Sequence, residues 1–323
     1  MTKKFLLIAV CIIMMSMTAN AISINKALLD HNGTVTLYDG LQDAINASAD
    51  GDVIYLTLGT FKGPITISKK ITIRGTGETS IIDGDVSISI SGSPKLTSPV
   101  LEALTVSGTV SVKSEVNDMI LRKSKIGNFT IEANVDGAVL DRCYITNSLT
   151  LSSYIKGLTV VNTKLYSVQA NSGATQNTTF VNCNFYALYT AYFSGTIINS
   201  IIQSISNNTS YTSTLNSTVV LNSLINTYCY SSGYPFTIGS SSVTQGCYTI
   251  KEYNVVTTGC ECKYDTSSLQ SKGYLGTDKT VVGIYGGDTP FTLEPSVPKV
   301  TSSSLDLDME KKELNVKLTV SPQ

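Results

Sequence analysis

Apolar positions recur along this chain mostly with a period of two. Val53 to Leu58, Pro64 to Ser68 and Ile71 to Arg74 are runs of three to six residues, rich in β-branched side chains and closed by Gly, Lys or Pro. Such runs predict short strands. They follow one another too closely to enclose helices. One segment alone has helical spacing, with Leu41, Ala44, Ile45 and Ala49 at i, i+3, i+4 and i+8. Asp39 and Gly40 can start this helix, and Asp50-Gly51-Asp52 ends it. Near the C-terminus, Leu305 to Met309 and Leu314 to Val320 alternate strictly across a Glu310 to Glu313 turn. That pattern predicts a β-hairpin.

Between these ends the sequence repeats. Blocks of apolar residues surround a small residue at Ser124, Cys143, Thr163, Cys183, Ser200 and Ser223. The steps are 19, 20, 20, 17 and 23 residues, a mean of 19.8. Before the small residue stands a polar one, Asn in four of the six blocks: Asn162, Asn182, Asn199 and Asn222. A coil of about 20 residues holds three short strands and three turns, and stacked coils pair equivalent strands about 4.8 Å apart. Every inward position then meets its equivalent in the next coil, which produces apolar columns. The small column marks a corner, and the Asn column a bend, because Asn tolerates the left-handed conformation. One coil cannot bury its own face, so many are needed. A sandwich expects turns every 8–12 residues and a propeller a period of about 40–50; neither fits. Roughly ten coils fit between Val53 and Ile250 at this period.

Composition changes this picture at the N-terminus and in the charge. Lys3 and Lys4, the apolar run Phe5 to Met15 and Ala19-Asn20-Ala21 form a secretory signal peptide, cleaved near Ala21. No later stretch is apolar enough to cross a bilayer. The expected localisation is secreted, periplasmic or cell-surface. With 23 basic and 24 acidic residues the net charge is −1, and no basic field for nucleic acid exists. One histidine, His31, excludes sites that need two. The six cysteines beyond the signal are too few for a disulfide scaffold, and Cys143 and Cys183 read as small buried residues within the repeat. The segments are therefore 1–21, signal peptide; 22–52, N-terminal segment and capping helix; 53–282, parallel β-helix; and 283–323, a Gly/Pro connector and C-terminal hairpin.

Leu41-Gln-Asp-Ala-Ile45, Asp50-Gly-Asp-Val-Ile-Tyr-Leu56, Gly59-Thr-Phe61, Ile71 to Gly75 and Ile81-Ile-Asp-Gly84 resemble the opening of the pectin lyase-like right-handed parallel β-helix superfamily. The resemblance implies an all-β, single-stranded right-handed parallel β-helix with an N-terminal capping helix. It does not specify an activity, because the fold carries lyases, hydrolases and adhesins. The Gly283 to Pro298 stretch resembles the tails of secreted β-helix proteins from gut bacteria.

The superfamily implies two enzymatic chemistries to look for. Polygalacturonase-like members need clustered aspartates and a Gly-His-Gly segment, which this chain lacks. Pectate lyase-like members combine a Ca²⁺ site with an Arg or Lys base that removes a proton beside a uronate carboxylate. The nearest set is Asp141, Arg142 and Lys164, with Lys125, Tyr144 and Lys164 on one column and Arg122 stacked near Asp141. The plainer reading is an ion pair and lysine stems lying over a tyrosine. A calcium site needs six or more oxygens, and no further carboxylate joins Asp141. No metal site is assigned, and Ca²⁺ enters only with the lyase alternative. Asp83 and Asp85 form another carboxylate pair, in a turn where Asp is expected.

Tyrosines crowd one half of the helix, at Tyr186, Tyr189, Tyr192 and Tyr211 among others, beside Asn, Ser and Thr. Flat aromatic faces beside neutral hydrogen-bonding groups suit sugar rings; equally, tyrosine is a good strand residue. The functional expectation is an exported, non-catalytic glycan-binding or adhesin-like protein without a cofactor, whose partner is a polysaccharide or surface glycan. The alternative is a uronate lyase.

Overall fold

The structure, a computed structural model, describes residues 25–92, 95–96, 99–152, 155–171, 177–189, 193–206, 214–215, 218–227, 237–238, 242–295, 299–308 and 313–321. The signal segment, Tyr192 and Tyr211 lie outside the described residues. The chain forms an all-β parallel solenoid. Its first sheet stacks ten parallel strands, from Val53–Leu56 through Ile120–Arg122, Val139–Asp141 and Thr159–Val161 to Val243–Gln245. The second sheet carries the following strand of each coil, including Lys125–Ile131, Tyr144–Leu151, Lys164–Ala170 and Asn184–Tyr189. A third, short sheet of Val116–Asn117, Val135–Asp136 and Ile155–Lys156 closes part of the cross-section.

The register of about twenty residues is borne out residue by residue. Leu121, Leu140, Val160, Phe180, Ile197 and Val220 stack in one inward column, and Ile126, Ile145, Leu165, Phe185, Ile202 and Ile225 in another. All twelve are fully buried. At the corner between the sheets, the polar residue of each block takes a left-handed backbone: Lys123, Arg142, Asn162, Asn182, Asn199 and Asn222 have φ of 44–54°. That explains the preference for Asn. The small residue after it is buried because its side chain bonds back to the carbonyl two residues earlier, as Thr163 Oγ1 does to Val161 O (2.8 Å) and Ser200 Oγ to Ile198 O (2.8 Å). Each hydroxyl also accepts from the preceding coil: Cys143 N donates to Thr163 Oγ1 (3.1 Å) and Cys183 N to Ser200 Oγ (3.0 Å).

At the N-terminal end, helix α1 (Leu41–Ala47) covers the first coil with Leu41, Ala44 and Ile45. Ala49, the last position of the helical pattern, is exposed, because the chain turns at Ser48. Before α1 the chain forms an antiparallel pair, Ala27–His31 and Thr34–Tyr38, that extends the first sheet.

The last stacked strand is Tyr248–Ile250. Residues 252–295 then leave the stack and run back along the outside of the solenoid as a strap. It contains helix α2 (Thr266–Ser271), capped by the Asp265 carboxylate accepting from Ser268 N (2.7 Å). Val255, Val256, Cys260, Leu269, Val281 and Val282 pack with Ile201 and Leu224 of the solenoid into a second small core. The polar seam beneath the strap is made of amides. Asn226 bonds Glu252, Asn199 bonds Thr277, Asn184 bonds Cys260 O and Ile284 N, and Asn162 donates to Ile284 O and Gly286 O. A glycine is required at Gly283: its φ is +86°, and a Cβ there would lie 2.4 Å from Asn184 Oδ1. The C-terminal hairpin pairs Lys299–Asp308 with Glu313–Ser321, as the alternation predicts.

Candidate functional site

Asp141 and Arg142 lie together at the end of a first-sheet strand and the following corner. Asp141 accepts from Arg142 Nε and Nη2 (2.8 and 2.7 Å) and from Arg122 Nε of the preceding coil (2.9 Å). One coil further back, Arg74 Nε donates to the buried carboxylate of Glu102 (2.7 Å). The register makes this a ladder of alternating sign, Arg74, Glu102, Arg122, Asp141. The bond to Asp141 raises the pKa of Arg142, opposed by burial, so this guanidinium is held charged. Lys123 sits at the same corner, 6% exposed. Burial, then the charge of Arg142, lowers its pKa.

Lys164 has different partners. It lies on the second-sheet column Lys125, Tyr144, Lys164. Its ammonium pairs with Glu261 of the strap. It also lies 5.3 Å from the Tyr144 ring centroid and 4.4 Å from that of Phe291. Glu261 also accepts from Tyr285 Oη (2.8 Å). Burial first, and then that bond, push the Tyr285 phenol up to about 12. The three residues of the lyase alternative are thus split between the ion ladder and the strap contact. Asp83 and Asp85 serve the turns, accepting from Ser107 Oγ (3.0 Å) and Thr109 N (2.8 Å). His31 is exposed and its Nδ1 is 2.8 Å from Asp52 Oδ1. Among the described residues no three His, Cys, Asp or Glu side chains group closely enough to hold a metal ion.

Of the tyrosines singled out by sequence, Tyr186 stacks on Tyr166 with centroids 4.9 Å apart and planes 12° apart. Both rings pack against the strap's core. Burial raises the Tyr186 pKa. One face of its ring is thereby covered. Tyr189, half-buried, ends the same strand.

Where the strap nears its end, it and the second sheet enclose a cleft of about 490 Å³. Tyr144 and Lys164 form one side, and Phe291, Thr292, Leu293, Glu294 and Pro295 the other. Thr76, Gly77, Glu78 and Thr79 close the rim. Glu78 is paired with Lys125 (2.8 Å). Burial raises the Tyr144 pKa, so its hydroxyl stays protonated and able to donate. The cleft is therefore lined by two aromatic rings, with Lys164 over both and Lys125 5.9 Å from the Tyr144 centroid, and by threonine and glutamate side chains. Phe291 and Glu261 were not singled out by the sequence. They stand 127 and 97 positions from Lys164, and nothing local to them indicates that contact.

No protein-family model matches the chain, and neither the curated proteins nor the solved structures provide a match. No helix among the described residues is long and apolar enough to cross a membrane.

Proposed function

We propose that this is an exported, non-catalytic glycan-binding protein of a bacterial surface or its surroundings, built on a pectin lyase-like β-helix. The observation that carries the reading is the cleft between Tyr144 and Phe291. Aromatic faces beside hydroxyl and carboxylate groups match the alternating apolar and polar faces of a sugar ring. The Lys164 ammonium lies within cation–π reach of both rings. The arrangement of charges around Asp141 favours binding over lyase chemistry. A lyase base must be able to give up its proton, and the Asp141 carboxylate holds Arg142 in the opposite state.

The experiment is a glycan array followed by calorimetry on the best ligand. Tyr144→Ala and Phe291→Ala are each expected to weaken binding about tenfold, the worth of one aromatic contact. No bound glycan, or affinity untouched by both substitutions, would overturn the proposal. The lyase alternative is tested with acidic polysaccharides, with and without Ca²⁺. Unsaturated product whose release is abolished by Arg142→Ala would replace the binding reading.

A further inference from the structure

Among the described residues the first sheet ends in an unpaired strand at each end of the solenoid. At the head, the outermost strand is Thr34–Tyr38; at the tail, it is Val243–Gln245. Among the described residues no strand pairs with the outer side of either. Each exposes an aliphatic residue on the outward face, Leu37 at 57% and Val243 at 55%. Neither strand, Thr-Val-Thr-Leu-Tyr or Val-Thr-Gln, contains a charge or a proline, the features that normally keep an edge from pairing.

The second sheet is treated differently at the head. There Gln42 of α1 closes the strand Ile65–Ile67 with its side chain, accepting from Thr66 N (2.8 Å) and donating to Thr66 O (3.2 Å). An amide that mimics a neighbouring strand covers that edge, while the edge of the first sheet stays open.

Strand direction makes the two bare edges complementary. Ala27–His31 runs antiparallel to Val53–Leu56, and Thr34–Tyr38 runs antiparallel to Ala27–His31. Two reversals restore the direction of the coils. Thr34–Tyr38 therefore points the same way as Val243–Gln245, and two copies on a common axis would meet with parallel strands, the pairing used throughout the solenoid. Two heads or two tails would have to pair antiparallel.

We infer that the protein associates head to tail with further copies of itself, Val243–Gln245 of one copy pairing with Thr34–Tyr38 of the next. The interface is heterologous and does not close, so it generates linear chains of copies. Leu37 and Val243 become neighbours on the continuous outer face.

Sedimentation velocity over a concentration series tests this. The mass of the wild type is expected to rise with concentration without settling at one oligomer. Leu37→Lys removes the head contact and Val243→Lys the tail contact, so each variant alone is expected to be monomeric. An equal mixture is expected to give a dimer and nothing larger, because each variant retains the end that the other lacks. Thr36→Lys and Thr244→Lys serve as a second pair should circular dichroism show that either first variant is unfolded. A wild type that is monomeric throughout, oligomers that survive both single substitutions, or a dimer formed by one variant alone would overturn the inference.

Discussion

Ser200 joins two coils through one oxygen, which donates to Ile198 O and accepts from Cys183 N. Ser200→Ala removes the bond and leaves a buried N–H without a partner, so a loss of about 1–3 kcal/mol is expected, read as a lower denaturant midpoint. Cys183→Ser keeps the size and the donor of that column and should cost far less. The thiols of Cys143 and Cys183 are pushed up to about 12 by burial, and both are fully buried. They are expected to resist a thiol reagent at pH 8 until the protein unfolds, as mass mapping of labelled peptides would show. Lys123 gives a pH prediction of definite sign. Its folded pKa lies below its ordinary value of 10.5 because burial disfavours the ammonium. The penalty is full at neutral pH and fades as pH rises through the folded value toward the unfolded one. Lys123→Asn, which also suits the left-handed corner, is expected to raise the melting temperature at pH 7 and to remove that alkaline gain. The repeat by itself marks these positions, since Asn and small residues at fixed spacing have few other physical causes.

The strap behaves as an element in its own right. It holds to the solenoid through amides, a small apolar core and glycines pressed against Asn side chains. Gly283→Ala puts a Cβ where Asn184 Oδ1 already lies and forces a positive φ on alanine. The strap is expected to lift locally, seen as proteolytic cutting within 252–295 while the coils stay protected. The Gly/Pro richness of its last part was legible and reads as a connector; that it lies on the amide column was not. The contact between Asn162 and Gly286 spans 124 positions, and no local pattern encodes so distant a partner. The N-terminal pair, Ala27–His31 and Thr34–Tyr38, did have a local signal. Asn32 and Gly33 both have positive φ, 52° and 87°, and Asn-Gly between alternating residues is the commonest mark of a two-residue hairpin turn.

Across the whole molecule, each coil touches mainly its neighbours, so stability is a sum of interfaces along one axis. Phe180, fully buried in mid-stack against Phe185 and Phe193, is expected to cost about 3–5 kcal/mol when cut to alanine, as a denaturation curve would show. The sequence alone determined the coil, its period, its corner residues, the helix at one end and the hairpin at the other. These are local or periodic properties, and stacking equivalent positions repeats one short-range solution many times. Only the tertiary structure decided what covers the outside. It separated Lys164 from Arg142, set Phe291 beside Lys164, stacked Tyr186 on Tyr166 and, among the described residues, left two strand edges unpaired. Those outcomes depend on where a non-repeating segment returns across the stack, and a contact made once, at long range, leaves no periodic trace in the chain.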